Sequence, residues 1–326
     1  MQIIAQLLHQ GDEVRVIAPS TGIKIIGADC RQIAQERFAA MGLKVSFGKN
    51  TVDSAFDDFG TTDAHRRAVD IMDAFLDDKV KAIFTVIGGF NSNQVLSLLD
   101  YEAIKAHPKI ICGFSDIMAL LNAIRAKTGL TVFYGPHYSS LGMQKGCEYT
   151  LENMQKMLFD GETEWTPSPS WSDDLWFIDQ NKREFMATDG WWFLSDGEAE
   201  GVLEGGNLGT LMLLGGGEFA PVFRQHTVLA LENCFSSPDD KKDFFRQLQA
   251  LAQRPDFAMV QAVLIGRFQK ASQVERKDLE YIIRSIPELA GKVVIANMDF
   301  GHTTPIVTLP LGGFCRISGG KVSLEL

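Results

Sequence analysis

The sequence predicts an α/β fold of two domains. Three observations carry that expectation. Short apolar runs alternate with amphipathic segments through the first ~140 residues. The texture changes between Tyr149 and Gly201, where all five tryptophans fall in a Pro/Ser/Asp-rich stretch. From Gly205 onward the alternation resumes. A chain of 326 residues has room for two domains of common size. The boundaries that follow are 1–148 for a first domain, 149–200 for a tryptophan-rich connector and 201–326 for a smaller second domain.

Glu13 to Ala18 is β-rich and ends at Pro19-Ser20. A segment from Asp29 to Met41 follows with apolar residues at Ile33, Phe38 and Met41, and Lys44 to Phe47 is a second strand candidate. Thr62 is positioned to cap a helix through Leu76, with Ala68, Ile71, Met72 and Phe75 on one face. Lys81 to Ile87 is nearly all apolar, as expected of a strand covered on both faces. Lys109 to Cys112 and Thr131 to Tyr134 complete a series that reads as a Rossmann-like parallel sheet with helices on both sides. In the connector, Leu151 to Phe159 is a helix candidate. In the second half Val228–Leu231, Ala262–Ile265 and Val293–Ala296 are strand candidates, and Pro238 to Gln253 a helix.

Composition excludes several function classes. With 45% hydrophobic and 22% charged residues the chain can build packed cores, so disorder is excluded. A net charge of −10, with no basic cluster longer than Arg66-Arg67, argues against a nucleic-acid partner, because phosphate neutralisation needs basic patches. Five scattered cysteines give no disulfide framework, and cysteine and histidine spacing gives no zinc site. The first ten residues lack a basic region and a small-residue cleavage site, and no apolar run reaches the roughly 20 residues that span a bilayer. The expectation is a cytoplasmic protein without a membrane partner.

Gly113-Phe114-Ser115-Asp116 lies between an apolar strand and an apolar helix beginning at Ile117. A serine on such a sharp turn is exposed at the carboxyl edge of a parallel sheet, as in the nucleophile elbow of serine hydrolases. Ser-Asp is equally a helix N-cap pair, so the turn alone does not settle its use. Ile87-Gly88-Gly89-Phe90-Asn91-Ser92-Asn93 is a glycine turn at another strand end, without the Gly-x-Gly-x-x-Gly of dinucleotide sites. The amides of Gly89 or Phe90, together with that of Asp116, are candidates for an oxyanion hole. Glu232 ends one strand of the second half, and His302 follows another in Asp299-Phe300-Gly301-His302-Thr303. A serine needs a base and a histidine needs an acid, which Ser115, His302 and Glu232 could supply. His137, after the strand ending at Tyr134, competes as base. The amides opening a helix at Asn91–Ser92 could hold a terminal carboxylate. Arg267 is a second candidate for that task, or the partner of a structural ion pair. The tryptophans are either buried or, for one or two, stacked on a flat ligand group.

Ala18-Pro19-Ser20, Gly88 to Asn93, Gly113 to Asp116, Gly205-Gly206-Asn207-Leu208, Leu231-Glu232-Asn233 and Gly301-His302-Thr303 together resemble the LD-carboxypeptidase family of serine peptidases. The connector, with Trp171 to Trp176, is most similar to that of the microcin C immunity branch. The resemblance implies a Ser115–Glu232–His302 triad in a cleft between the domains, with neither metal nor cofactor, in a homodimer. It implies acyl transfer from peptidyl- or aminoacyl-nucleotide amides, with Trp176 and Trp192 as candidates for stacking on the base and Phe90 and Asn91 near the substrate. The alternatives are a murein-tetrapeptide LD-carboxypeptidase and a non-catalytic binding protein of the same fold.

Overall fold

The computed structural model describes residues 2–52, 57–224 and 226–326. Strands β1 (Glu13–Ile17), β2 (Lys44–Phe47), β3 (Val80–Thr85), β4 (Ile110–Gly113) and β5 (Val132–Tyr134) pair in parallel in the order β5-β4-β3-β1-β2. These are the five strands expected from the sequence, with ends shifted by at most two residues. The helices between them pack on both faces. Helix Ala64–Leu76 buries Ala68, Ile71, Ala74 and Phe75. Its cap is Asp63 and not Thr62: the Asp63 carboxylate accepts the N–H groups of His65 and Arg66. Helix Met118–Thr128, which follows the Ser115 turn, is buried from Met118 through Ile124 and ends at Gly129 in the left-handed region (φ 81°).

The second half adds β6 (Glu162–Trp165), a small pair β7 (Ser170–Trp171) and β8 (Met186–Ala187), β9 (Trp192–Ser195), β10 (Ala199–Asn207), β11 (Thr227–Glu232), β12 (Val260–Gly266) and β13 (Val293–Met298). β14 (Leu309–Leu311) returns to the first sheet, antiparallel to β5, before β15 (Phe314–Ser318) and β16 (Lys321–Glu325) close the second. The second sheet has eight strands in the order β6-β16-β15-β10-β11-β12-β13-β9. β10 to β13 are parallel and the outer strands antiparallel. The molecule thus has two α/β domains, each with a mixed sheet, and residues 149–200 contribute β6 and β9 to the second.

β10 was not expected, and its composition explains why. Strand propensity disfavours glycine, yet this strand contains Gly201, Gly205 and Gly206. Gly205 has φ +127°, and a Cβ there would sit 1.9 Å from the carbonyl oxygen of Ala230 on β11. The two backbones approach so closely that only glycine fits. The approach matters because the β10–β11 register sets Asn207 opposite Glu232. Gly205→Ala is expected to destabilise the fold by about 2 kcal/mol or more through strain. Denaturant unfolding measures this, and a change under about 0.5 kcal/mol would show that β10 can shift.

Candidate active site

The carboxyl ends of the two sheets face one cleft, and Ser115 stands where they meet. It follows β4 and opens a short 3-10 turn with φ 62°, a left-handed conformation that a serine adopts only under constraint. Its N–H donates to the Tyr134 hydroxyl at 3.0 Å, and its Oγ lies 2.9 Å from His302 Nε2. His302 Nδ1 is 2.7 Å from Glu232 Oε2. The other carboxylate oxygen, Oε1, accepts the Asn207 side-chain N–H at 3.0 Å and the Tyr134 hydroxyl. Ser115, Tyr134, Glu232 and His302 therefore form a closed ring of hydrogen bonds, with Asn207 attached to it.

The His302 loop is held from below. Asp299 is fully buried, forms an ion pair with Arg267 at 2.8 Å and accepts N–H bonds from Ser168 and Trp191 at 3.1 Å, besides the Ser168 hydroxyl. Ser168 and Trp191 belong to the tryptophan-rich stretch, which therefore anchors the loop carrying His302. Gly301 has φ +104°, and a Cβ there would lie 2.7 Å from Glu232 Oε2. Glycine at 301 lets the loop backbone pass against the carboxylate.

Burial pushes the Glu232 pKa up, but the neighbouring His302 charge and the hydrogen bonds from His302, Tyr134 and Asn207 outweigh it and hold the group ionised. Burial pulls the His302 pKa down; the Glu232 carboxylate overcomes this, with the Cys234 thiol contributing, and raises it. Burial and then the Glu232 charge move the Tyr134 phenol well above its ordinary value. His137 is the opposite case. Full burial and the nearby His302 lower it to about 3, so it stays neutral. Its Nδ1 lies 2.8 Å from Thr85 Oγ1 and its ring stacks on Phe114. His302, and not His137, is the histidine hydrogen-bonded to Ser115.

The cleft has two lobes. One, of about 430 Å³, is lined by Phe114, Trp176, Phe177, Met143 and Ile306. The other, of about 360 Å³, is lined by Asn207, Thr210, Asn233, Asp240, Asp243 and Gln247. Gly89, Ser115 and Cys234 line both. The N–H groups of Gly89 and Asp116 carry no hydrogen bond among the described residues, which leaves both available to an oxyanion. The Phe90 N–H is spent on Ser20 Oγ at 3.1 Å, while the Phe90 ring is exposed on the polar lobe.

Three expected binding residues lie elsewhere. Asn91 is buried, bonded to Ser20, Thr61 and Arg67. The neighbouring Ser92 N–H is taken by the Asp116 carboxylate at 2.8 Å, so the turn meant for a substrate carboxylate already holds the protein's own. Arg267 is the structural ion pair with Asp299, and its side chain is 2% exposed. Trp192 lines a separate pocket of about 190 Å³ with Trp171 and Arg267, its indole N–H on Asp189. Of the two tryptophans expected to stack on a base, Trp176 alone reaches the cleft of Ser115. No role for Tyr134 or Asn207 follows from the sequence pattern alone. The signals were a tyrosine at a strand's carboxyl end and the asparagine of Gly205-Gly206-Asn207-Leu208. Among the described residues no cluster of His, Cys, Asp or Glu could hold a metal, and no helix is long and apolar enough to cross a membrane.

Only the neutral imidazole has a bare Nε2 to accept the hydrogen bond of the Ser115 hydroxyl. Because the His302 pKa is raised, that form is populated at higher pH than for an ordinary histidine, and kcat/KM is expected to climb with pH through this raised value. Glu232→Gln removes the stabilising charge, so the rising limb should move to lower pH while the plateau drops. A pH–rate profile checks both, and an unmoved limb would assign the titration to another group.

Structures of known proteins superpose closely on this one. A microcin C7 self-immunity protein (MccF)-like protein from Bacillus anthracis aligns with a TM-score of 0.96 at 40% identity, covering 99% of each chain. The microcin C7 self-immunity protein MccF of Escherichia coli is 31% identical over 95% of this chain and 91% of its own. MccF has been solved in complex with aspartyl sulfamoyl adenosine, at a TM-score of 0.88 over 99% of this chain and 98% of that one. A further structure of that protein, described as an active-site mutant, has alanine in place of a serine, an asparagine and a lysine. This overturns the expected function as acyl transfer by a Ser–Glu–His triad: the relative's active site includes a serine, an asparagine and a lysine. Here Ser115 and Asn207 line the cleft, and no lysine does among the described residues. Residues 14–135 match the LD-carboxypeptidase N-terminal domain and residues 200–317 its C-terminal domain. With both domains facing one cleft serine, the chain belongs to the LD-carboxypeptidase family and is a serine hydrolase of carboxypeptidase type.

Proposed function

We propose that the enzyme hydrolyses the amide-type bond between an amino acid and a nucleotide-like group, passing the acyl group through Ser115. The aromatic lobe beside Ser115 carries this reading, because Trp176 and Phe177 offer ring faces to a flat base next to the nucleophile. Its support from relatives is that MccF has been solved with aspartyl sulfamoyl adenosine, with glutamyl sulfamoyl guanosine, and, as a tryptophan-to-phenylalanine mutant, with adenosine monophosphate.

Ser115 Oγ, whose hydroxyl is hydrogen-bonded to His302 Nε2, attacks the carbonyl carbon and gives up its proton. Negative charge gathers on the carbonyl oxygen, where the free N–H groups of Gly89 and Asp116 stabilise it; one such donor is worth about 2.7–4 kcal/mol. The bond to the leaving group breaks as that group takes up the proton lost by Ser115, and water then hydrolyses the ester. Tyr134 and Asn207 act through Glu232, fixing the carboxylate that orients the imidazole. The working unit is a serine within a five-residue network, and Asn207 is part of it.

Ser115→Ala is expected to lower hydrolysis of an aminoacyl sulfamoyl adenosine by at least about 10⁴-fold. Trp176→Ala should raise KM for that compound about tenfold, from the loss of base stacking, and leave an L,D-dipeptide little affected. Asn207→Ala should lower kcat about tenfold by loosening Glu232, with any change in KM reporting its place on the wall of the polar lobe. Steady-state kinetics on both substrates reads all three. Cleavage of L,D-dipeptides without any cleavage of the nucleoside would replace this reading with a murein-type peptidase.

A further inference from the structure

We infer that the acyl residue accepted by Ser115 is neutral or cationic and not acidic, and that the polar lobe makes this choice; the inference rests on the acyl-transfer reading above. The scissile carbonyl must sit at Ser115, where the lobes join. With a flat leaving group against Trp176 and Phe177, the transferred amino acid lies in the polar lobe.

Among the described residues, that lobe is lined by three carboxylates, Asp116, Asp240 and Asp243, and by no lysine, arginine or histidine. Asp116 accepts the Ser92 N–H, and Asp240 accepts the N–H groups of Ser236 and Ser237 at 2.7 and 2.8 Å. These contacts are with neutral dipoles; Asp116 also lies in the field of the buried Arg67, so the uncompensated charge of the lobe rests chiefly on Asp240 and Asp243. Asp243 pairs with Arg246 at 3.0 Å, but that arginine side chain is 76% exposed, where water screens the pair. The aromatic lobe is balanced differently. Its Asp173 and Asp174 are paired with Lys270 at 3.3 Å and Arg183 at 3.1 Å.

The neutral groups of the polar lobe are largely occupied with one another. The Asn207 side-chain oxygen accepts from the Thr210 N–H and hydroxyl, Asn233 receives the Gly209 N–H, and the Asn233 amide donates to Gln247. A substrate carboxylate placed here meets like charges with no cation lining the lobe to pair with, which is a built-in penalty. A primary amide avoids that penalty, and an ammonium or guanidinium gains the carboxylates as partners. This sets the chain apart from MccF, which has been solved with aspartyl and glutamyl compounds and whose active site includes a lysine.

The test is a matched set of aspartyl, asparaginyl and lysyl sulfamoyl adenosines, with the same three residues also offered at the N-terminus of L,D-dipeptides. Aspartyl and asparaginyl groups differ by one charge at nearly equal size. The expected result is kcat/KM at least tenfold higher for asparaginyl than for aspartyl, with lysyl equal to asparaginyl or better. Asp243→Lys should shrink the asparaginyl-to-aspartyl ratio at least threefold, which a merely structural effect would not do because both substrates would fall together. An aspartyl substrate cleaved as well as the asparaginyl one, or a ratio unmoved by Asp243→Lys, would overturn the inference. If the dipeptides alone are cleaved, the nucleotide reading fails, and the ratio measured on the dipeptides decides the inference.

Discussion

The Glu232 carboxylate is the constraint on which the rest of the site depends. It is 1% exposed, and an ionised carboxylate at that depth persists only if its oxygens are fully engaged. The groups that engage it come from both halves of the chain. Tyr134 ends a strand of the first sheet, Asn207 ends the neighbouring strand of the second, and His302 comes from the loop after β13. Satisfying one buried charge therefore fixes how the two sheets face each other. Because Tyr134 also accepts the Ser115 N–H, the same demand reaches the strained turn that presents the hydroxyl.

The tryptophan-rich stretch has a second kind of influence on this geometry. Trp191 and Ser168 bind Asp299, three residues before His302, and Arg267 neutralises it. The imidazole is thus oriented at one nitrogen by Glu232 and carried on a loop pinned by a second buried ion pair. Trp176, in the same stretch, faces the cleft. One segment combines support for the His302 loop with contact to ligand, which makes its length and composition hard to vary without changing both.

Much of this was legible in the residues. Apolar or β-rich runs marked β1 to β5 and β11 to β13, and a serine, a glutamate and a histidine at strand ends fell at one edge of the sheets. What was not legible follows from physical causes. β10 hides its strand character behind glycines imposed by the β11 backbone. Asn91 and Arg267 have the chemistry of anion binders, but pairing with internal groups consumed their capacity. Trp176 and Trp192 are alike in sequence, and only the path of the connector separates them. Asn207 and Tyr134 matter through a hydrogen bond to a third residue, a relation that no local pattern records. The expected three-residue mechanism failed for the same reason: strand-end positions pointed to the partners of the serine and not to the groups around them.

β14 has a consequence for how the chain reaches this state. Leu309 pairs with Tyr134, so the edge of the first sheet is completed by residues about 175 positions further along the chain. Until they arrive, β5 presents an open edge, and the strand bearing Tyr134 lacks one of its neighbours. Contacts so distant along the chain form late and at high cost in loop entropy. During synthesis the first domain would therefore wait, collapsed but unsealed, for the second to hand back its closing strand. The elbow serine is held in an incomplete sheet until then, and the enzyme acquires its geometry only once β14 has docked.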